Sequence, residues 1–283
     1  MQASLKRLTH RIFDYAGMFP PAQLNSSAAL SEFNRLSEGP EGGLLNRFCC
    51  RPDRLGEVGS PKIPVSVIGA ASTGLDAWYA AREADASLMT QWGDEIELAA
   101  YEVRSPLAGL PVDELGGLAG FASVDVFVEF ELDDSLEDTV AGASDLPWMA
   151  LKVRTGGQPS DLPPSPEHLA RFLAQAVSLE VPFKLTGGLH EPLTKAGPEF
   201  KYGFVNVLAA AALAFAEDLP PDRLRALLLE QDPAAFQTNA ESLVWHGFRA
   251  DMQSIEEVRE LFVSIGSCSI REPFDGLQDI GWI

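Results

Sequence analysis

Two lysines lie near the ends of two short apolar segments, and each is followed by a Thr-Gly-Gly sequence. Lys152 and Lys184 both lie in segments typical of β-strands. Side chains two positions apart in a strand share a face, so Lys152 points with Arg154, and Lys184 points with Thr186. The glycines that follow can present backbone N–H groups to an anion. The pattern predicts a binding place for an anionic or carbonyl-containing molecule.

Charged residues with the same spacing occur in two earlier strand-like segments. One contains Glu102 and Arg104, and the other contains Glu129 and Glu131. The residues between them, such as Val103, are apolar. Apolar residues would face a layer of helices, which leaves the charged residues on the opposite face of the sheet. The four segments together therefore predict a cluster of acids and bases.

Such a cluster predicts amine chemistry. A lysine that is desolvated and surrounded by other cations has a lowered pKa, which frees its amine as a nucleophile toward carbonyl groups. Arg154 and Lys184 would have this effect on Lys152, and Glu129 or Glu131 would transfer protons. The alternative is a structural network of ion pairs, because the acids and bases nearly balance. Ionised groups are costly to bury even when paired, which favours a functional site.

The charged segments belong to a series of short apolar segments that alternate with helical patterns. Alternation of this kind predicts a parallel α/β fold. Eight segments favour a (β/α)8 TIM barrel, whose active sites lie at the C-terminal ends of the strands, as the charged pairs do here. We expect one barrel domain, 1–283, with a helical insertion, 220–252, between the seventh and eighth strands. The predicted strands lie within 11–21, 46–50, 64–69, 97–104, 124–132, 149–154, 183–186 and 262–269.

Three segments resemble, in the same order, those of a known family. Lys152-Val-Arg-Thr-Gly156 resembles the Lys-x-x-Thr-Gly segment of deoxyribose-phosphate aldolases, which are class I (Schiff-base) barrel enzymes. Lys184-Leu-Thr-Gly-Gly188 is similar to the second lysine segment of that family, and Ile265-Gly-Ser-Cys-Ser269 is similar to its phosphate turn. The resemblance implies that Lys152 forms the imine and that Lys184 lowers its pKa. It also implies phosphate binding by Gly187, Gly188, Gly266 and Ser267.

We therefore expect a lyase of the class I aldolase type that forms an imine between Lys152 or Lys184 and a small carbonyl or sugar-phosphate substrate. One alternative is an isomerase or hydrolase with Glu129 or Glu131 as its base and the lysines holding an anion. The other is a non-catalytic barrel with a structural ion-pair network. The candidate catalytic residues are Lys152, Lys184, Glu102, Glu129 and Glu131. The candidate residues for binding the substrate are Arg104, Arg154, Thr155, Gly156, Gly157, Thr186, Gly187, Gly188, His190, Gly266 and Ser267.

Four further residues each allow two interpretations. Asp14 either faces the barrel axis or caps a turn. His190 is either an acid–base group at the barrel mouth or a loop histidine bonded to backbone. Cys268 is either a reactive thiol at the mouth or a small buried side chain. Asn206, in an apolar helix, either reaches the site or satisfies a backbone group.

Composition limits the partners. A formal net charge of −20 argues against nucleic acid and against anionic membranes, because both would repel the chain. The three cysteines have no metal-ligand spacing and an odd count, which favours a reducing cytoplasm. The N-terminal residues lack the apolar core of a signal peptide, and the longest apolar run, 205–216, is too short to span a bilayer. We expect a soluble cytoplasmic protein that uses neither metal nor cofactor and binds a small anionic or carbonyl-containing molecule. Its oligomeric state is open, and a homo-oligomer is one possibility.

Overall fold

The computed structural model describes residues 1–59, 63–72, 74–107, 110–157 and 162–283, without the side chain of Asp113. Within these residues, eight strands pair in parallel and form a closed barrel. This confirms the predicted (β/α)8 barrel. The strands are β1 (Phe13–Tyr15), β2 (Leu45–Cys50), β3 (Val65–Ile68), β4 (Leu98–Arg104), β5 (Asp125–Phe130), β6 (Met149–Arg154), β7 (Phe183–Thr186) and β11 (Phe262–Ser267). They follow one another around the barrel in chain order, and β11 closes against β1.

Helices alternate with the strands. They are α1 (Ala3–Thr9), α2 (Ser26–Glu38), α3 (Leu55–Val58), α4 (Leu75–Trp92), α5 (Leu136–Ser144), α6 (Pro166–Ser178), α7 (Phe204–Glu217), α8 (Pro221–Leu228), α9 (Met252–Leu261) and α10 (Arg271–Asp279). Short 3₁₀ segments occupy Pro40–Gly43, Pro52–Arg54, Val112–Phe121 and Pro233–Ala235. Local sequence sets the start of α6, because the Ser165 side chain accepts the His168 N–H and Pro166 fills the first helical position. Among the described helices, none combines the length and apolarity needed to cross a bilayer.

The insertion between β7 and β11 differs from the prediction, which was helical throughout. Within the predicted insertion, 220–252, the helical segments before α9 are α8 and the 3₁₀ segment Pro233–Ala235. Most of its other described residues form a three-stranded antiparallel sheet. Its strands are β8 (Phe236–Thr238), β9 (Ser242–Trp245) and β10 (Phe248–Asp251). His246 and Gly247 both have positive φ, as the two-residue turns of hairpins require. This turn joins β9 to β10 and makes a continuous helix impossible.

One aromatic ring fills the interior of the barrel toward its N-terminal end. Phe127 shares the inward face of β5 with Glu129, and it packs against the small side chains of Ala100 and Ala150. The Arg47 guanidinium lies 5.9 Å from the ring centroid and the Lys184 ammonium lies 5.3 Å from it. Both distances suit cation–π attraction. The apolar layer around Phe127 therefore lies next to the charged layer of the barrel.

Asn206 binds backbone groups and does not reach the barrel mouth. Its Oδ1 accepts the Thr194 N–H at 3.0 Å, and its Nδ2 donates to the carbonyls of Leu227 and Glu230 at 2.8 Å each. The side chain is fully buried in α7. Its amide joins α7 to the loop after β7 and to the end of α8.

Replacement of Asn206 by leucine should destabilise the fold. An Asn206→Leu variant removes three hydrogen bonds to the backbone and leaves the buried Thr194 N–H without its acceptor, so the free energy of unfolding should fall by about 3 kcal/mol or more. Urea denaturation followed by circular dichroism measures this change. The control is Asn34→Leu on the exposed face of α2, which should change stability by roughly 0.5 kcal/mol or less. Equal effects of the two substitutions would contradict the role assigned to the Asn206 amide.

Candidate active site

The interior of the barrel holds most of the predicted catalytic side chains. Glu102 of β4, Glu129 of β5, Lys152 of β6 and Lys184 of β7 are buried, and they are joined by Asp14 of β1. Strand register explains part of this grouping, because Glu129 pairs with Lys152 and Lys152 pairs with Lys184. Paired residues of neighbouring parallel strands point to the same side. The shared inward face predicted from two-residue spacing is therefore present.

These five side chains form a continuous chain of ion pairs with alternating charge. The Lys184 ammonium lies 2.6 Å from Asp14 Oδ2 and 2.6 Å from Glu102 Oε1. The Lys152 ammonium lies 3.0 Å from Glu102 Oε2 and 3.0 Å from Glu129 Oε2. Each ammonium is thus bound by two carboxylates, and Glu102 bridges the two lysines. Of the two interpretations of Asp14, the structure supports the one in which its side chain faces the barrel axis.

Hydroxyl and amide groups complete the shell of the carboxylates. Ser264 Oγ donates to Asp14 Oδ2 at 2.5 Å, and Ser66 Oγ donates to Glu102 Oε1 at 2.5 Å. Asn46 Nδ2 donates to Asp14 Oδ1 at 3.0 Å. Sequence reasoning missed all three donors. A usable signal was present for the two serines, since each is a polar residue between apolar neighbours in a buried strand.

The pKa shift of the lysines is opposite to the predicted one. Burial by itself lowers the pKa of each ammonium, but contact with two carboxylates outweighs burial. Glu102 and Glu129 raise the pKa of Lys152, and Asp14 and Glu102 raise that of Lys184. The prediction of a pKa lowered by neighbouring cations is therefore wrong, because carboxylates contact the amines directly.

The carboxylates shift in the complementary direction. Burial raises the pKa of Glu102, but the charges of Lys152 and Lys184 outweigh it and hold that pKa well below its usual value. Burial also raises the pKa of Glu129, but the charges of Lys152 and Arg154 outweigh burial and hold that pKa below its usual value. Arg154 Nε lies 3.5 Å from Glu129 Oε1. At neutral pH, Glu102 and Glu129 are therefore ionised in the resting network, and both lysines are protonated.

A cavity of about 150 Å³ opens at the C-terminal mouth of the barrel. Glu102, Lys152 and Arg154 are charged residues of its lining, whereas the Lys184 side chain is fully enclosed. Several predicted binding residues line it: Arg154, Gly157, Thr186, Gly187, Gly188, His190 and Gly266. Cavities of this size accept a molecule of about six non-hydrogen atoms. The mouth cavity therefore brings a small molecule within reach of Lys152.

The two Thr-Gly-Gly turns hold each other in place. The Thr155 N–H donates to the Thr186 carbonyl at 2.8 Å, and its hydroxyl donates to the Gly187 carbonyl at 2.6 Å. Gly187 has φ +80°, and a Cβ there would lie 2.0 Å from the Gly156 carbonyl oxygen. The close approach of the two turns therefore requires glycine at position 187. Thr155 and Gly156 border a larger groove beside the mouth cavity, of about 920 Å³.

Three other predicted site residues lie apart from the mouth cavity. Arg104 and Glu131 pair with each other at 2.8 Å, and both side chains are more than half exposed. They border a separate cavity of about 440 Å³, which Glu129 also lines. The Ser267 hydroxyl donates to the Ser269 carbonyl at 2.5 Å. The ion-pair network and the Arg104–Glu131 pair are therefore distinct groups.

His190 contacts side chains at the mouth. Its Nε2 lies 3.7 Å from Cys268 Sγ. Its buried Nδ1 lies 3.1 Å from Glu272 Oε2, without the alignment of a hydrogen bond. These contacts favour the acid–base interpretation of His190 over a loop histidine bonded to backbone.

Comparison of the chain with protein-family models, with curated proteins and with solved structures gave no match. The resemblance to deoxyribose-phosphate aldolases therefore stays a prediction. Within the described residues, no cluster of three or more His, Cys, Asp or Glu side chains is arranged to hold a metal ion. The function has to be inferred from the geometry at the mouth.

Alanine at position 187 should force the two Thr-Gly-Gly turns apart. Gly187→Ala combines a strained left-handed backbone with a clash against Gly156, whereas Gly247→Ala has the same sign of φ and open space around its Cβ. The strain alone costs about 1–2 kcal/mol, and the clash adds about 1–3 kcal/mol. Chemical denaturation of both variants measures the difference. Equal destabilisation would show that the close approach carries no constraint.

The stability given by Glu129 should depend on pH. A carboxylate with a lowered folded-state pKa stabilises the fold above its unfolded pKa, and this stability is lost as the pH falls through the folded value. At pH 7, Glu129→Gln should lose about 3 kcal/mol of unfolding free energy, because it leaves a buried ammonium with one partner fewer. The difference from the unsubstituted protein should shrink as the pH falls below 4.5, the ordinary value for this group.

The matched control for this pH series is Glu131→Gln, two residues further along the chain. Its carboxylate belongs to the exposed pair with Arg104, so the change should be less than about 1 kcal/mol and should diminish with added salt. Thermal and urea denaturation between pH 3 and 9 provide the measurement. A stability gap for Glu129→Gln that persists unchanged into acid would mean that Glu129 is not ionised in the fold.

Proposed function

We propose that this barrel is a carbon–carbon lyase of the class I aldolase type, which forms an imine between Lys152 and a small carbonyl compound. One observation carries the proposal: Lys152 lines the mouth cavity while two carboxylates contact its amine. A substrate carbonyl in that cavity would lie beside an amine and beside groups that accept its protons. Lys184 has no exposed surface, so its role is to neutralise Asp14 and Glu102.

The network can supply the proton transfers of the reaction. The resting Lys152 ammonium must lose a proton before it attacks, and Glu102 or Glu129 lies at 3.0 Å to accept it. The amine then adds to the carbonyl carbon, and water leaves as the C=N bond forms. A carboxylate next takes the proton of a hydroxyl on the carbon β to the iminium carbon, the bond between the α and β carbons breaks, and the β carbon leaves as a carbonyl compound while the electrons of the broken bond form an enamine. The carboxylic acid returns its proton to the α carbon, and water hydrolyses the resulting iminium, which releases the second product and restores the amine.

The raised pKa of Lys152 opposes the first of these steps. Attack requires the neutral amine, and two adjacent carboxylates favour the ammonium. A carbonyl substrate that carries a negative group beside Arg154 would weaken the attraction between Arg154 and Glu129. It would also exclude water from the cavity, and the loss of solvation favours the neutral amine over the ammonium. The substrate class that fits is a small aldehyde, keto acid or sugar phosphate.

Borohydride trapping tests the imine. The protein is incubated with small aldehydes, keto acids and sugar phosphates, reduced with borohydride and mapped by peptide mass spectrometry. We expect a saturable adduct on Lys152 whose yield increases as the pH rises toward the raised lysine pKa. A Lys152→Met variant, shown to be folded by circular dichroism, should lose that adduct at least tenfold. Exposed Lys195 and Lys201 report unspecific labelling, and modification confined to them would overturn the proposal.

A second function is favoured by the raised pKa of both lysines. A protonated Lys152 at the cavity would hold an anionic carbonyl substrate and polarise it, while Glu129 or Glu102 removes a proton beside the carbonyl. This is the chemistry of an isomerase with a carboxylate base. Its signature is exchange of substrate C–H for deuterium from the solvent without a borohydride adduct. Glu129→Gln should lower such exchange by about 100-fold, whereas the exposed control Glu131→Gln should leave it unchanged.

A further inference from the structure

Three side chains at the mouth have the composition of an activated thiol. Cys268 follows β11, His190 follows β7, and Glu272 lies in the first turn of α10. Cys268 Sγ is 3.7 Å from His190 Nε2, and His190 Nδ1 is 3.1 Å from Glu272 Oε2. Nδ1 is buried and has no aligned hydrogen-bond partner. A thiol, an imidazole and a carboxylate therefore follow one another in the order that nucleophilic catalysis uses.

The cluster opens on two connected spaces. Cys268 and His190 line both the mouth cavity and the adjoining groove of about 920 Å³, and Glu272 lines the groove. Much of the groove wall is apolar: Leu162, Pro163, Pro164, Pro198 and Phe200. Lys201 and Glu199 add charges to the lining. The thiol therefore borders both a small cavity with charged groups in its lining and a larger groove with a mostly apolar wall.

We propose that Cys268, His190 and Glu272 form a second reactive centre, at which the Cys268 thiol is acylated by esters or thioesters whose apolar acyl chain lies in the groove. The groove supplies contact area for a chain longer than the mouth cavity can hold. The leaving group lies on the mouth side of the thiol and departs to solvent. This activity is independent of the lysine chemistry proposed above, since it uses none of the buried ion pairs.

The chemical steps balance without any further reactant except water. His190 Nε2 takes the thiol proton while Sγ bonds to the acyl carbon. The C–O or C–S bond to the leaving group then breaks, and His190 returns the proton to that group. Water adds to the acyl carbon by the same route, which releases the acid and restores the thiol. The Glu272 carboxylate stabilises the imidazolium that exists between these proton transfers.

The resting cluster is uncharged at its reacting atoms. Burial lowers the pKa of His190, with Lys201 acting in the same direction and Glu272 and Glu191 opposing it. Burial and Glu272 raise the pKa of Cys268. The rate of acylation should therefore rise as pH increases through the lowered histidine pKa. The acylation rate should rise a second time above pH 9, the ordinary pKa of a thiol, because the thiolate itself forms there.

The test uses p-nitrophenyl acetate and p-nitrophenyl butyrate, with nitrophenol release and the mass of the intact protein as readouts. We expect one acyl group on Cys268 by peptide mapping, saturable kinetics, and faster acylation by the butyrate because of the apolar groove. Cys268→Ser should slow acylation by about 100-fold or more. His190→Asn should slow it by about 100-fold and abolish the rise through the histidine pKa. Buried Cys50 lines neither space, so it acts as the internal control and should stay unmodified.

Two outcomes overturn the proposal: acyl groups that map to other residues, and a Cys268 acylation rate that His190→Asn leaves unchanged. Alkylation of the unsubstituted protein by iodoacetamide covers the case in which a variant fails to fold. Its pH profile at Cys268 should show the same rise through the histidine pKa, and butyrate ester should protect the thiol. A profile that rises only above pH 9 would mean that His190 does not activate Cys268. Because the adduct is read on Cys268 without borohydride, this result does not depend on the imine experiment.

Discussion

The burial of one ammonium group is the constraint on which the interior depends. Lys184 has no exposed surface, and removing such a charge from water costs several kcal/mol. Asp14 and Glu102 offset that cost at 2.6 Å each. Burial of these two carboxylates is also costly, and hydrogen bonds from Ser264 to Asp14 and from Ser66 to Glu102 offset part of that cost. Lys152 offsets a further part by its ion pair with Glu102. A barrel of this sequence therefore closes around charge as well as around apolar side chains.

Sharing of Glu102 links the deep part of the network to the mouth. One oxygen of this carboxylate binds Lys184 and the other binds Lys152. Any change in the charge of Lys152, including its conversion to an imine, would alter the field that acts on Lys184. Three carboxylates face two ammonium groups in this layer, and Arg154 supplies a third cation beside Glu129. The mouth therefore accepts a small negative group only if the existing pairs adjust.

The fold and the inward face were predictable because strand periodicity is local. The two-residue spacing of Glu102, Glu129, Lys152 and Lys184 depends on each strand alone, and the structure buries all four. The direction of the lysine pKa shift was not predictable in this way. For Lys184 it depends on Asp14, which reaches the amine across 170 residues of chain when the barrel closes. For Lys152 it depends on direct contact with Glu102 and Glu129 at 3.0 Å each. The spacing identified which charged side chains face the interior. Only the three-dimensional structure shows that carboxylates lie closer to each lysine amine than the other cations do.

The insertion and the serines show two other limits of sequence reasoning. The turn at His246 and Gly247 needs left-handed backbone at a histidine, which the residue types alone do not reveal. Ser66 and Ser264 carry a visible signal, since each interrupts an apolar strand. Their importance arises only because barrel closure places a carboxylate beside each hydroxyl. For each serine, the carboxylate that binds its hydroxyl lies on a different strand of the barrel.

The position of Phe127 has a consequence for proton movement. Its ring centroid lies 5.9 Å from the Arg47 guanidinium and 5.3 Å from the Lys184 ammonium, and an aromatic ring carries no exchangeable proton in its face. A relay of protons toward Lys184 through Glu102 and Lys152 therefore starts at the mouth cavity, where these two groups meet the open space. A molecule bound in that cavity would block this route. Occupancy of the mouth would then set how fast the deep lysine equilibrates with the solvent, even though the molecule never touches it.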